Sequence, residues 1–248
     1  GIYRDSIKKE VVSSAGDEFQ GLFLDLQSAF VYIRKLQILI YPIKIRCGIG
    51  YGEIKYDVEE WESSAFDGEA YYLARDAITA IKGKKSNTIC FNTKSRYDKY
   101  LNEFCMADMS VKSRQSQVAH LIELIADIML PMVYKEEDAQ FYYFIAKKKS
   151  RWIEQERWNK SSSRYRDVKV LDVDYDSLFW IREEYVKKEE PKLMFCMDEF
   201  WARGMSTKIA QVMHTTRQNI DRYVSLGRIK ESRTMDKAIF ELLGEDIW

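Results

Sequence analysis

Histidine and cysteine are scarce in this sequence, and their placement excludes several kinds of chemistry. The two histidines, His120 and His214, stand far apart. The four cysteines, Cys47, Cys90, Cys105 and Cys196, are scattered with no CxxC pair. That leaves no ligand set for a zinc site and no disulfide framework, and it fits a reducing cytoplasm. An excess of one charge is also missing: Lys and Arg number 39, as do Asp and Glu. A polycation that holds nucleic acid through its overall charge is excluded, although a local basic patch is not. Long apolar runs are absent as well. The cleanest stretches, such as Ile38 to Ile43, are too short to cross a bilayer, and no basic-then-apolar leader is visible. A cytoplasmic protein is therefore expected.

What is present describes a folded chain. Hydrophobic residues make up 46%, aromatics 14% and charged residues 31% of 248 residues, which predicts more than one domain. The beginning is unusual. Two strand-like pieces, Ile2-Tyr3 and Val11 to Ser14, are separated by only a few charged residues. This points to a segment left out between Ser6 and Val11, which makes spacing across that stretch uninformative.

Val11–Ala15 and Phe19–Leu24 flank Gly16-Asp17-Glu18 and predict a tight hairpin. Apolar residues at Leu26, Ala29, Phe30, Ile33, Leu36 and Ile40 predict a helix over 25–39. Ile43–Gly48 and Gly50–Ile54 are expected to form a second strand pair. Gly68–Ile81 is expected to be a helix, and Asn87–Phe91 a short strand. That order predicts an α+β domain with helices on one face of a sheet. From about Lys112 the pattern turns helical, over Val118–Tyr134 and Asp138–Trp158, with a polar linker at Asn159–Asp167. Within the second of these helices the basic run Lys147–Arg151 is expected to face solvent. Trp152, Trp158, Trp180 and Trp201 are expected to anchor core or interface. The expected division is 1–110, a helical connection at 111–199, and a C-terminal module at 200–248.

Three motifs in the first domain bear on chemistry. GDEFQG places Asp17 and Glu18 at a hairpin tip, where a carboxylate on a rigid turn suits a divalent metal beside a phosphate. Taken alone, the same residues are explained more simply by good turn chemistry. RCGIGYGEI sets Gly48, Gly50 and Gly52 on alternate strand positions, which signals close backbone approach or a tight bend. DGEAYYLARDA runs from Asp67 into a helix that carries Tyr71 and Arg75 four residues apart, on one face. Both could meet one ligand, or Tyr71 could pack while Arg75 pairs with Glu69 or Asp76.

Taken in order, GDEFQG, RCGIGYGEI and DGEAYYLARDAI resemble the palm-type catalytic domain of class III nucleotide cyclases and GGDEF proteins. More closely they resemble the SatD family, in which such a palm precedes a helix-turn-helix. The resemblance implies a palm (ferredoxin-like) sheet with helices on one face. It also implies Mg²⁺ or Mn²⁺ held by Asp17, with Glu18 beside it and Asp5 as the first-strand carboxylate. SatD-like chains read GDIxDS at that strand, whereas this one reads Gly1-Ile2-Tyr3-Arg4-Asp5-Ser6. The cyclase helix offers an Asn and an Arg to the transition state. Here Arg75 is kept and Tyr71 stands at the Asn position. By this resemblance Arg75 and Tyr71 are the catalytic candidates, and Gly48, Gly50, Gly52 and Asp67 the nucleotide-binding ones. A homodimer is expected on the same analogy.

The C-terminal module has the spacing of a helix-turn-helix. Ser206 would cap one helix, with Ile209, Ala210 and Met213 on its inner side. His214-Thr215 would form the turn, and Thr216 would cap a second helix packed through Ile220 and Tyr223 or Val224. Thr216, Arg217, Gln218, Asn219 and Arg222 would then face outward as candidate DNA contacts. Phe200–Arg233 holds seven Lys and Arg against two Asp and Glu, a local net of +5. Leu226–Lys230 would be either a small wing or a helix C-cap. The expected function is a nucleotide-binding or degenerate cyclase-like palm coupled to a DNA-binding module, a regulatory protein. The alternatives are a metal-dependent nucleotidyl cyclase or transferase, and a structural or partner-binding protein with a relic palm.

Overall fold

The computed structural model describes residues 6–55, 68–84, 88–132, 138–160, 173–174, 176–178, 200–245 and 247–248, with backbone alone at 15, 138–143 and 156–160. The expected strand at Ile2-Tyr3 and the linker beyond residue 160 lie outside these. The chain divides into two compact units. The first is Gly1–Ser113 with Met235–Trp248, and the second is Arg114–Thr234.

The first unit opens with β1 (Ile7–Ala15) and β2 (Glu18–Phe23), antiparallel, with Ala15 opposite Glu18 and Gly16-Asp17 as the turn. Gly16 takes a left-handed φ of 60°, which glycine adopts without a Cβ penalty. Next, α1 (Leu26–Ile40) is capped by Asp25, whose carboxylate accepts from the Ser28 backbone N–H at 2.6 Å and its hydroxyl at 2.9 Å. Its buried side includes Leu26, Ala29, Phe30, Val31 and Ile38, but also Arg34 and Lys35, while Ile33, Leu36 and Ile40 are half-buried. The face predicted from periodicity is therefore rotated. Arg34 is buried because its guanidinium donates to Asp236, which is itself fully buried.

The second strand pair differs from expectation. β3 (Cys47–Gly50) does not fold back on residues 50–54. It pairs in parallel with β4 (Ile89–Asn92), Cys47 opposite Ile89 and Gly50 opposite Asn92. Between them runs α2 (Glu69–Ile81), the crossover that a parallel pair requires. Ile54 makes only an isolated bridge to Gly68. Among the described residues the strands form two two-stranded sheets.

The other edge of β4 is closed by side chains of α3 (Asp98–Lys112). Asn102 Oδ1 accepts from the Phe91 N–H at 2.7 Å, and its Nδ2 donates to the Phe91 carbonyl at 2.8 Å. Asp98 takes the Thr93 N–H at 2.8 Å and the Thr93 hydroxyl at 2.6 Å. Two side chains thus act as a surrogate strand and block the edge. Helix α3 also positions Lys112, which donates to Asp236 at 2.7 Å and to Asp108 at 2.6 Å.

In the second unit, α4 (Gln117–Met129) is buried at every position from Val118 onward. Its N-cap is Ser116, which accepts from the Ala119 N–H at 3.2 Å. α5 (Asp138–Lys160) extends two residues into the expected linker. Lys149, expected in solvent, is buried, whereas Lys147 and Lys148 are exposed. Helical spacing turns that one lysine of the run inward. α6 (Met205–Val212) begins after Gly204, which is left-handed at φ 82°, so Ser206 is a buried helix residue rather than the cap. A turn through Met213–Thr216 leads to α7 (Arg217–Leu226), which ends at the C-cap Gly227. The residues after it form α8 (Ile229–Leu243) rather than a wing. Arg233, in the second unit, is fully buried. It donates to Asp127 at 2.8 Å, to the Leu130 carbonyl at 2.7 Å and to the Phe200 carbonyl at 3.0 Å.

Candidate functional site

The first unit spreads its candidate residues over three elements. Asp17 lies in the hairpin turn and Glu18 starts β2, both exposed and neither in an ion pair among the described residues. Asp5 and Asp67 lie outside the described residues. No group of three or more His, Cys, Asp or Glu is placed to hold a metal among the described residues. Among the described residues, Asp17 and Glu18 are two adjacent carboxylates without a third donor, which is fewer than a two-metal centre uses.

The glycines of β3 have a packing use. A Cβ on Gly48 would lie 2.1 Å from the Ala74 carbonyl oxygen, and one on Gly50 would lie 2.2 Å from that of Ala70. Both positions are spent on the close approach of the α2 backbone. The nearest atoms to a Cβ on Gly52 belong to the Glu69 side chain, at 2.9 Å. On α2 itself Tyr71 is half-buried and Arg75 exposed, so the four-residue spacing does not give them equal access to solvent. Glu69 pairs with Lys94 rather than Arg75. Hydrogen bonding and charge from Lys94 hold the Glu69 carboxyl below its ordinary range.

The second unit brings its candidates together. Ile220 and Val224 are buried on the inner side of α7, while Thr216, Arg217, Gln218, Asn219 and Arg222 are all exposed. The Thr216 hydroxyl accepts from the Asn219 N–H at 3.3 Å, the N-cap that starts the helix. Asn219 Nδ2 donates to the Thr215 hydroxyl at 3.1 Å, and Arg217 Nε donates to Asp221 Oδ2 at 3.2 Å. Arg203, Arg228 and Lys230 are exposed as well. Arg228 lies 3.7 Å from Glu231, and the Lys230 ammonium sits 5.6 Å over the Trp201 ring. One cation of the +5 count does not belong to this surface, since Arg233 is buried on Asp127.

The sequence reading missed Asp221 as a partner of Arg217. The signal was available, because the two stand four residues apart in a segment expected to be helical. It also missed buried Glu123, whose charge bears on Lys149. Burial lowers the Lys149 ammonium to about 8, against an opposing pull from Glu123.

No curated protein and no solved structure matches the chain. The sequence profile of the SatD family matches residues 1–162, which includes the hairpin carboxylates, the glycine strand and α2. With well over half of its length matched, the chain belongs to the SatD family.

Proposed function

We propose that this protein is a DNA-binding regulator that engages duplex DNA through the outward side of α7. The reading places the α6–α7 pair as a helix-turn-helix, and it is carried by one observation. The outer side of α7 exposes Arg217, Gln218, Asn219 and Arg222, while Ile220 and Val224 fix the helix from within. A helix held this way can enter a major groove with its first turns against base edges. Exposed Arg203 and Lys230, which make no ion pair among the described residues, add sequence-independent attraction to phosphate. Fluorescence anisotropy with a labelled duplex tests it. Binding should weaken by at least roughly tenfold between 50 and 200 mM salt, and Arg222→Ala should reduce both affinity and the salt slope. Binding that is absent at 50 mM salt rejects the proposal.

A second reading rests on the hairpin. Asp17 and Glu18 point two carboxylates into solvent with no cation beside them among the described residues, an arrangement suited to a divalent ion and a nucleotide phosphate. In this reading a palm-like unit binds nucleotide and informs the DNA-binding module. Calorimetric titration of ATP and GTP with Mg²⁺ should show metal-dependent binding that Asp17→Ala removes. A titration without heat for either nucleotide retires the reading.

A further inference from the structure

We infer that Arg217, positioned by Asp221, reads guanine in the major groove and sets the sequence preference of α7. The inference rests on the DNA-binding reading and adds base specificity to it.

Asp221 is the only acidic residue on α7. A carboxylate on a surface that approaches phosphates repels them, so its presence there calls for a reason. Helix stability does not supply one. An acid four residues after a base is the less favourable order of an i,i+4 pair, because it sets the negative group towards the negative end of the helix dipole. The pair is also open to solvent, with side chains 68% and 46% exposed, where ion pairs contribute little.

The bond geometry offers a different use. Asp221 takes the Nε–H of Arg217. The guanidinium carries five N–H groups in a rigid fork, so the terminal nitrogens keep their hydrogens for another partner. Two parallel acceptors in the plane of that fork are what guanine presents at O6 and N7. Holding Nε biases the fork towards one plane before DNA arrives, which takes little stabilisation, and so lowers the entropy lost on binding.

Gln218 and Arg222 provide the contrast. Both are exposed, and neither has a side-chain partner among the described residues. An unfixed arginine suits phosphate, which accepts from many directions, better than a base edge. Arg222 is thus the phosphate contact and Arg217 the base reader.

In vitro selection from a randomised duplex library, followed by anisotropy on the selected site and on single-base variants, tests the assignment. The wild-type protein should enrich sites with guanine at a fixed position, and replacing it should weaken binding by about tenfold or more. Arg217→Lys keeps the charge but lacks the fork. It should lose the guanine preference while the salt-dependent binding of unselected duplex persists. Asp221→Asn should weaken that preference severalfold while raising affinity for unselected duplex, an outcome that a purely structural role of Asp221 does not produce. Wild-type binding without a guanine preference, or a preference that survives Arg217→Lys, overturns the inference and leaves DNA binding standing. A preference untouched by Asp221→Asn removes Asp221 from it. No duplex binding at low salt overturns both the inference and the reading beneath it.

Discussion

At the scale of the residue, the glycines of β3 show how one sequence feature serves two readings. Alternating glycines were expected where a backbone meets a ligand or a neighbour closely, and here the neighbour is α2. The positions are not equivalent. A Cβ at Gly50 meets the backbone of α2, with the Ala70 oxygen at 2.2 Å and the Ala74 nitrogen at 2.4 Å, and backbone in a helix cannot step aside singly. At Gly52 the obstacle is the Glu69 side chain, which can rotate away at the cost of an exposed pair with Lys94. Gly50→Ala should therefore destabilise the first unit by about 1–3 kcal/mol, as overpacking does. Gly52→Ala should cost under about 1 kcal/mol. Urea denaturation followed by circular dichroism measures both. Equal losses would mean that α2 yields as easily as a side chain.

At the scale of the element, β4 depends on a helix rather than a strand along one edge. Phe91 is 1% exposed, and among the described residues its N–H and carbonyl on that side are taken by Asn102 alone. Asn102→Ala leaves two buried backbone groups without partners and should cost about 2 kcal/mol or more. The Phe91 amide should exchange its hydrogen faster, while amides of α4 stay unchanged. This edge also shows what the sequence could and could not disclose. Helices α1, α2 and α4 were legible because apolar residues recur three and four positions apart along each. Helix α3 was not, because it exposes Tyr100, Phe104 and Met106 while burying Leu101, Cys105 and Met109, which blurs its periodicity. The parallel partner of β3 was missed for another reason. Adjacent apolar runs suggest a hairpin, and nothing local reveals that the true partner lies beyond a helix. On α7 the outward residues followed directly from the cap and spacing around Thr216. The buried Arg34 and Lys149 were hidden because Asp236 and Glu123 stand far from them in sequence, so each resembled a solvated residue.

At the scale of the whole molecule, the two units carry buried charges that respond to pH at opposite ends of the range. In the first unit, burial alone would raise the Asp236 carboxyl, but Arg34 and Lys112 outweigh it and hold the group below its ordinary value of 3.8. The unfolded chain then takes up a proton before the native one does. Stability from this group is present above about pH 4 and lost as pH falls through the native value. In the second unit, burial lowers Lys149 from 10.5 to about 8. Between those values the native state releases a proton that the unfolded state keeps, so stability should rise with pH, by up to about 1.4 kcal/mol per unit. Asp236→Asn should lower stability at neutral pH by about 3 kcal/mol or more and flatten the acid limb, leaving the alkaline rise in place. Lys149→Met should flatten the alkaline rise and leave the acid limb in place. Thermal melts at pH steps from 3 to 9 separate the two, because they stop below the range in which the Cys47, Cys90 and Cys105 thiols, raised by burial, deprotonate in the unfolded chain first. If either variant flattens both limbs, the unfolding of one unit governs that of the other and the charges cannot be assigned unit by unit. If neither limb changes, these side chains do not titrate differently on folding, and the buried pairs contribute only through their geometry.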